Sequence, residues 1–219
     1  MIYFKTQGLI LAKEKFKEND ALIYILTKKY GLMKCYLKGI FRSQSKNLTL
    51  FEPGNLNRLF IITNFKQYQV ISGLPLKTTT NIFKSQPYLF LWTLRTIKNL
   101  NLIETPKFIW FVLTHLEDYL KQKSKVFSFW FTFHLLRDLG YEIDLQSCHR
   151  CQRKLKKFAY FDKKRFLYCF YCRQDFYLKI NQAELLQARK IKNLIKIPQE
   201  IPDFLKVIIK NTWSKVWYN

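Results

Sequence analysis

The chain has 219 residues, with 38 Lys/Arg against 15 Asp/Glu (formal net charge +23) and 48% hydrophobic residues, including 20 Phe and 13 Tyr. With only 6 Gly and 6 Pro, this composition excludes a disordered or low-complexity protein, and the length allows one large or two small domains. The longest apolar run, 127–136, is broken by Thr132 and His134, so no membrane segment is expected.

The first eighty residues read as strands. Gly8-Leu9-Ile10-Leu11-Ala12 is a short apolar run, preceded by Met1-Ile2-Tyr3-Phe4-Lys5, which resembles folded sequence more than a secretory signal. The expected compartment is therefore the cytoplasm. Residues 22–27 form a second strand, Lys28-Lys29-Tyr30-Gly31 a turn, and 32–37 its hairpin partner. Glu52-Pro53-Gly54 punctuates the chain before strands at 56–63 and 67–71. Five short strands in about eighty residues predict a small closed barrel, with the five-stranded OB-fold ahead of an SH3-like barrel. Cys35 reads as a small, half-buried apolar side chain, and Tyr36 as barrel core ahead of the alternative of a stacking ring on the barrel face.

From about residue 85 the period becomes helical. Leu89, Leu91, Trp92, Leu94 and Ile97 share one face; Phe108, Phe111, Val112, His115, Leu116 and Tyr119 another; Phe129, Trp130, Phe133, Leu136 and Leu139 a third. Such aromatic stripes are helix-bundle core, and His115 and His134 read as packing residues within them. Gly140 is a helix stop. Asn181-Gln182-Ala183-Glu184 has the offset of a capping box ahead of a helix through Leu185, Leu186, Ile191, Leu194 and Ile195. A last helix runs over 204–216. The expected architecture is α+β and multidomain: an OB-fold over 1–80, then a helical domain over 81–219 that carries an inserted four-cysteine finger at about 148–172.

That insertion is the strongest chemical statement in the chain. Cys148-His149-Arg150-Cys151 and Cys169-Phe170-Tyr171-Cys172 are matched pairs with seventeen residues between them. A Cys-x-x-Cys turn brings two thiolates to one side of a metal, and a second turn completes a tetrahedron around Zn²⁺. Two disulfides would need an oxidising compartment. A redox motif explains one pair but not two, and iron–sulfur spacings are usually tighter. The predicted ligands are Cys148, Cys151, Cys169 and Cys172. Four thiolates leave no open position, so the ion is expected to be structural. His149 reads as an exposed knuckle residue.

Charge is unevenly distributed. Residues 1–80 carry net +9, 81–147 net +2, 148–180 net +8 and 181–219 net +4. Compositional bias from an AT-rich genome would spread lysine evenly. The concentration in the first domain and the finger predicts polyanion binding, with a merely solvated cationic surface as the alternative. Chemistry for an enzyme is missing: no Gly-rich phosphate loop, no His-x-Glu or His-Glu-x-x-His, and a single adjacent acidic pair, Glu117-Asp118. No catalytic residue is assigned and no enzyme is expected.

The order of barrel, helices and four-cysteine finger resembles the RecO family of bacterial recombination and repair mediators. Gly8-Leu9-Ile10-Leu11, Glu18-Asn19-Asp20, Leu26-Thr27 and Tyr30-Gly31 resemble the family's opening. Residues 38–46, Lys-Gly-Ile-Phe-Arg-Ser-Gln-Ser-Lys, resemble its basic loop, with Phe41 where another basic residue is common; Leu50-Phe51-Glu52-Pro53-Gly54 resembles the segment that follows. The resemblance implies a non-catalytic protein that binds single- and double-stranded DNA and anneals complementary strands. It further implies engagement of the C-terminal tail of single-stranded DNA-binding protein and action with a RecR-like partner to load the RecA recombinase, in the cytoplasm at the nucleoid. Expected nucleic-acid contacts are Lys34, Lys38, Arg42 and Lys46 on phosphates, Phe41 as a stacking ring, and Arg150, Arg153 and Lys154 from the finger. An RNA-binding or ribosome-associated zinc module built on the same fold is the competing reading.

Overall fold

In the computed structural model, which describes residues 2–42, 45, 48–63, 67–79, 86–122, 124–141, 143–156, 158–193 and 200–218, five strands come first. They are β1 (Ile2–Phe16), β2 (Asp20–Thr27), β3 (Gly31–Leu37), β4 (Leu56–Thr63) and β5 (Tyr68–Lys77). β1 serves two neighbours. Its first half pairs with β4, from Ile2↔Thr63 to Leu9↔Leu56, and its second half with β2, from Gly8↔Thr27 to Phe16↔Asp20. A register shift between Ile10 and Ala12 bends the strand where it passes from one partner to the other. β5 pairs antiparallel with β4 and parallel with β3, closing the order β1-β2-β3-β5-β4 into the expected OB-like barrel.

β1 is much longer than the apolar run that announced it. Its ends are largely exposed even where they are apolar or aromatic, as at Ile2, Tyr3 and Phe16, so only the middle is buried and ladder bonds to two strands define the rest. Inward side chains alternate with outward ones: Ala21, Ile23 and Ile25 from β2, and Met33, Cys35 and Leu37 from β3, meet Ile10, Phe51, Leu59, Ile61 and Val70 in one core. Cys35 is fully buried rather than half-buried, and desolvation pushes its thiol up to about 12.

Asn55 ties β1 to the segments before β4 and after β5. Its amide donates to Thr49 O (2.8 Å), its side-chain oxygen accepts from Thr79 N (3.1 Å), and its backbone carbonyl accepts from Ile10 N (3.0 Å).

Helices α1 (Pro87–Asn99), α2 (Lys107–Thr114) and α3 (Leu116–Gln122) belong to the same compact unit, Met1–Gln122, so the change from strand to helix near residue 80 falls inside it. α1 lies against β1, and Lys77 Nζ donates to Thr114 O (3.1 Å). The continuous stripe expected over 108–119 is broken at His115. There the backbone N–H is shared between Phe111 O and Val112 O, while Thr114 Oγ1 donates back to Trp110 O (2.9 Å). His115 is exposed and its ring lies tilted against Phe111, 4.6 Å between centres, instead of packing inside.

The second unit, Lys123–Asn219, is built on α4 (Ser124–Asp138). This helix is apolar on nearly every side: Phe127, Trp130, Phe131, Phe133, Leu135 and Leu136 are all buried, and His134 sits among them against Trp130 and Phe133. It ends in a Schellman motif, with Gly140 at φ 84°, Gly140 N on Arg137 O and Tyr141 N on Leu136 O. A small sheet of β6 (Ala159–Phe161), β7 (Leu167–Tyr168) and β8 (Leu178–Ile180) carries the finger. α5 (Gln182–Asn193) opens on the expected reciprocal capping box, Glu184 N to Asn181 Oδ1 (2.9 Å) and Asn181 N to Glu184 Oε2 (3.1 Å). α6 (Asp203–Tyr218) and α5 both pack on α4. No described helix is long and apolar enough to cross a membrane.

Candidate metal centre and cationic barrel face

The outward residues of β2 and β3 form one surface. Tyr24 stands opposite Lys34, and Leu22 opposite Tyr36. Lys34 Nζ lies 5.6 Å from the centre of the Tyr24 ring and Lys98 Nζ 4.0 Å from it. Phe16, 38% exposed, meets Tyr36 edge to face at 5.9 Å. Tyr36 is therefore on the outer face rather than in the core. Its phase could have been read from the chain: Lys34 is necessarily outward, and a strand repeats every second residue. The same period places Tyr24 in phase with Asp20 on β2 and Phe16 in phase with Glu14 on β1, but which strands bring these rings beside Tyr36 and Lys34 depends on sheet register.

Asp20 organises the rim. Its carboxylate accepts the Tyr36 hydroxyl and Gly39 N (2.7 Å), so it holds the turn that presents Lys38. The Tyr36 hydroxyl first, then the Gly39 N–H, hold this carboxyl below its usual value. The link stabilises the rim above the unfolded-state carboxyl value of about 3.9 and is lost as pH falls through the lower folded-state value. An Asp20→Asn variant should therefore loosen the 38–42 turn at neutral pH while leaving the barrel folded. Amide exchange at Gly39 checks this; unchanged protection there would remove Asp20 from its assigned role.

Lys34, Lys38 and Arg42 are exposed as expected. Phe41 is half-buried and packs against the barrel core beneath Lys13, 5.8 Å away, so its ring is not a free stacking surface. Lys46 lies outside the described residues.

In the finger, all four predicted cysteines converge, with their sulfurs within 4.8 Å of one another. Cys151 Sγ and Cys169 Sγ are 3.6 Å apart. Sulfurs about 2.3 Å from a central ion in a tetrahedron would be separated by about 3.8 Å, so the four thiols could hold a metal without rearrangement of the fold. Local bonds shape the first knuckle: Cys148 N donates to Arg153 O (2.8 Å), Gln152 N to Cys148 O (2.9 Å), and Gln152 takes φ 59° to turn the chain. Burial disfavours ionisation of Cys148, yet the backbone N–H groups of Cys151, Cys169 and Arg150 outweigh it and hold this thiol down to about 6. Cys172 is pushed up to about 12, by desolvation first and by hydrogen bonding among the neighbouring thiols after it. His149 is no ligand; its ring stacks on Phe166 at 3.6 Å.

Two family models match the chain. One, described as recombination protein O N terminal, covers residues 1–75, and the other, recombination protein O C terminal, covers 106–189. The chain belongs to the RecO family. It is similar to the DNA repair protein RecO of Rickettsia canadensis, 32% identical over 152 residues, covering 66% of this chain and 61% of the relative. It is also similar to the DNA repair protein RecO of Clostridium acetobutylicum, 23% identical over 244 residues, covering 99% and 95%. Against the Rickettsia proteins this chain thus spans about three fifths of the relative's length.

The first RecO match ends within β5, and the second begins at the start of α2 and takes in both cysteine knuckles. Within that second stretch Arg189 of α5 performs a structural task that no motif announces. Its Nε donates to Leu145 O (2.9 Å) and its Nη2 to Leu155 O (2.7 Å), so the helix holds both arms of the first knuckle. Arg150, Arg153 and Lys154 are exposed on that knuckle, and Arg153 sits 5.6 Å from the ring of Tyr171 on the second.

Proposed function

We propose that this RecO-family chain is a DNA repair and recombination protein, not an enzyme, acting in the cytoplasm at the nucleoid. It binds single- and double-stranded DNA, anneals complementary strands and, with a RecR-like partner and the C-terminal tail of single-stranded DNA-binding protein, assists loading of the RecA recombinase. The barrel, 1–80, is the main DNA-binding domain, and the four cysteines hold a structural Zn²⁺ that cross-links the finger.

One observation carries this reading: exposed Lys34 and Lys38 stand beside Tyr36 and Phe16 on the strand 2–3 face, the face on which OB barrels take oligonucleotides. Annealing follows from electrostatics. Two strands repel through their phosphates; a cationic surface that holds both lowers that cost and leaves the bases free to pair. The test is annealing of complementary oligonucleotides without ATP, with and without single-stranded DNA-binding protein. Acceleration in both conditions is expected, whereas tight binding of structured RNA with no DNA annealing would establish the competing RNA-binding reading.

Lys38→Ala with Arg42→Ala should weaken binding to all sequences alike. It should reduce the slope of log affinity against log salt by about 2, one unit for each phosphate that is no longer neutralised. The same affinity at several salt concentrations would move the binding surface elsewhere on the barrel.

A further inference from the structure

The finger displays aromatic rings that its fold has no need to expose. Tyr171 is 79% exposed and Phe170 50%, both between the ligand cysteines of the second knuckle. They do not stand alone. Arg173 stacks 4.2 Å from the Phe170 ring centre and 4.6 Å from that of Tyr160, to whose hydroxyl it also donates. Phe170 meets Tyr171 edge to face at 5.7 Å, and Arg153 of the first knuckle lies over Tyr171 at 5.6 Å. At the other end Tyr160 meets Phe158 at 5.8 Å, with Lys179 4.8 Å from the Phe158 ring. Cations and rings thus follow one another across the finger in a ladder whose middle ring, Tyr160, is buried and whose Tyr171 and Phe170 are presented to solvent.

Acids do little to neutralise it. Residues 148–180 hold ten Lys/Arg against two acids; Asp162 is engaged in its own turn, accepting N–H bonds from Lys164, Arg165 and Phe166, and Asp175 is the other. An ordinary protein partner offers no match for such regular alternation. Single-stranded nucleic acid does: phosphates meet Arg153, Arg173 and Lys179, while unpaired bases stack on Tyr171 and Phe170. A duplex keeps its bases inside and can use only the cations.

We infer that this ladder is a base-stacking platform for single-stranded nucleic acid, through which the finger favours unpaired over paired strands. The inference rests on the nucleic-acid reading above and adds to it a site and a preference. The metal-loaded full chain, as wild type and as Phe170→Ala/Tyr171→Ala, is titrated with a twenty-nucleotide oligothymidylate and with a blunt duplex of equal length. Both side chains are exposed, so metal content and melting temperature should not change.

Stacking losses of about 1–3 kcal/mol per base predict at least a tenfold loss on the single strand, with duplex affinity held within twofold. Equal losses on both ligands, or none on either, would overturn the platform while leaving DNA binding intact. A wild type that binds neither ligand would instead overturn the nucleic-acid reading itself. As a second measurement, 5-iodouracil in the single strand should photocrosslink to Phe170 or Tyr171. Adducts found only elsewhere, or a patch that takes an acidic peptide and ignores the oligonucleotide, would also overturn it.

Discussion

Replacing Cys148 with serine is expected to abolish metal binding and unfold the finger together with the start of α5. Cys148 is fully buried, receives three backbone N–H groups at its sulfur, and lies in the knuckle whose two arms are held by Arg189. Apparent binding energies of structural zinc, about 10–16 kcal/mol in finger peptides, match or exceed the whole stability of an ordinary domain at about 5–15 kcal/mol. The three-residue strands of the finger sheet bury too little to replace that energy. Elemental analysis should find one zinc per wild-type chain and none in Cys148→Ser, with new proteolytic cuts between residues 146 and 180. Cys35→Ala should keep its metal, because that thiol belongs to the barrel core. A wild type that contains no metal and resists strong chelator unchanged would refute the assignment.

A second large effect is expected at Gly31. The residue has φ 63°, and a Cβ there would lie under 3.0 Å from the backbone carbonyls of Leu102 and Ile103, atoms that cannot swing aside. The approach is close because the β2–β3 turn is docked onto this segment. Leu32 N donates to Leu102 O (2.7 Å), Thr105 Oγ1 to Thr27 O (2.6 Å), and Thr27 Oγ1 to Gly31 O (3.0 Å).

Left-handed backbone costs an alanine about 1–2 kcal/mol, and forced displacement of packed atoms about 1–3 more. Gly31→Ala should therefore lose about 2–5 kcal/mol, or roughly 5–15 °C in melting temperature. Gly140 is the control: it has φ 84° but open space where a Cβ would go, so Gly140→Ala should lose only the conformational part. Equal losses at the two glycines, measured by denaturant midpoints, would show that the docked turn yields easily.

Several parts of this protein are legible in the sequence because their cause is local. A capping box needs only residues 181 and 184, a Schellman stop only a glycine after an apolar helix, and a metal knuckle only two thiols separated by a turn. The capping box and the helix stop appear where the chain predicted them, and the four thiols of the two turns converge as that spacing requires. The break at His115 was not legible, since no proline or glycine marks it. The packing of Phe41 against the barrel core was not legible either, since a phenylalanine among polar residues gives no hint of the tertiary contact it makes.

The cysteine spacing, the strand count and the concentration of positive charge follow from the order of residues alone, since period, spacing and composition are properties of neighbours along the chain. Tertiary structure decided which rings face solvent, which lysines lie over them, and that Arg153 and Tyr171, eighteen residues apart, become adjacent. Those relations arise when sheet register and the two knuckles bring distant segments together, and no local rule of sequence encodes that distance.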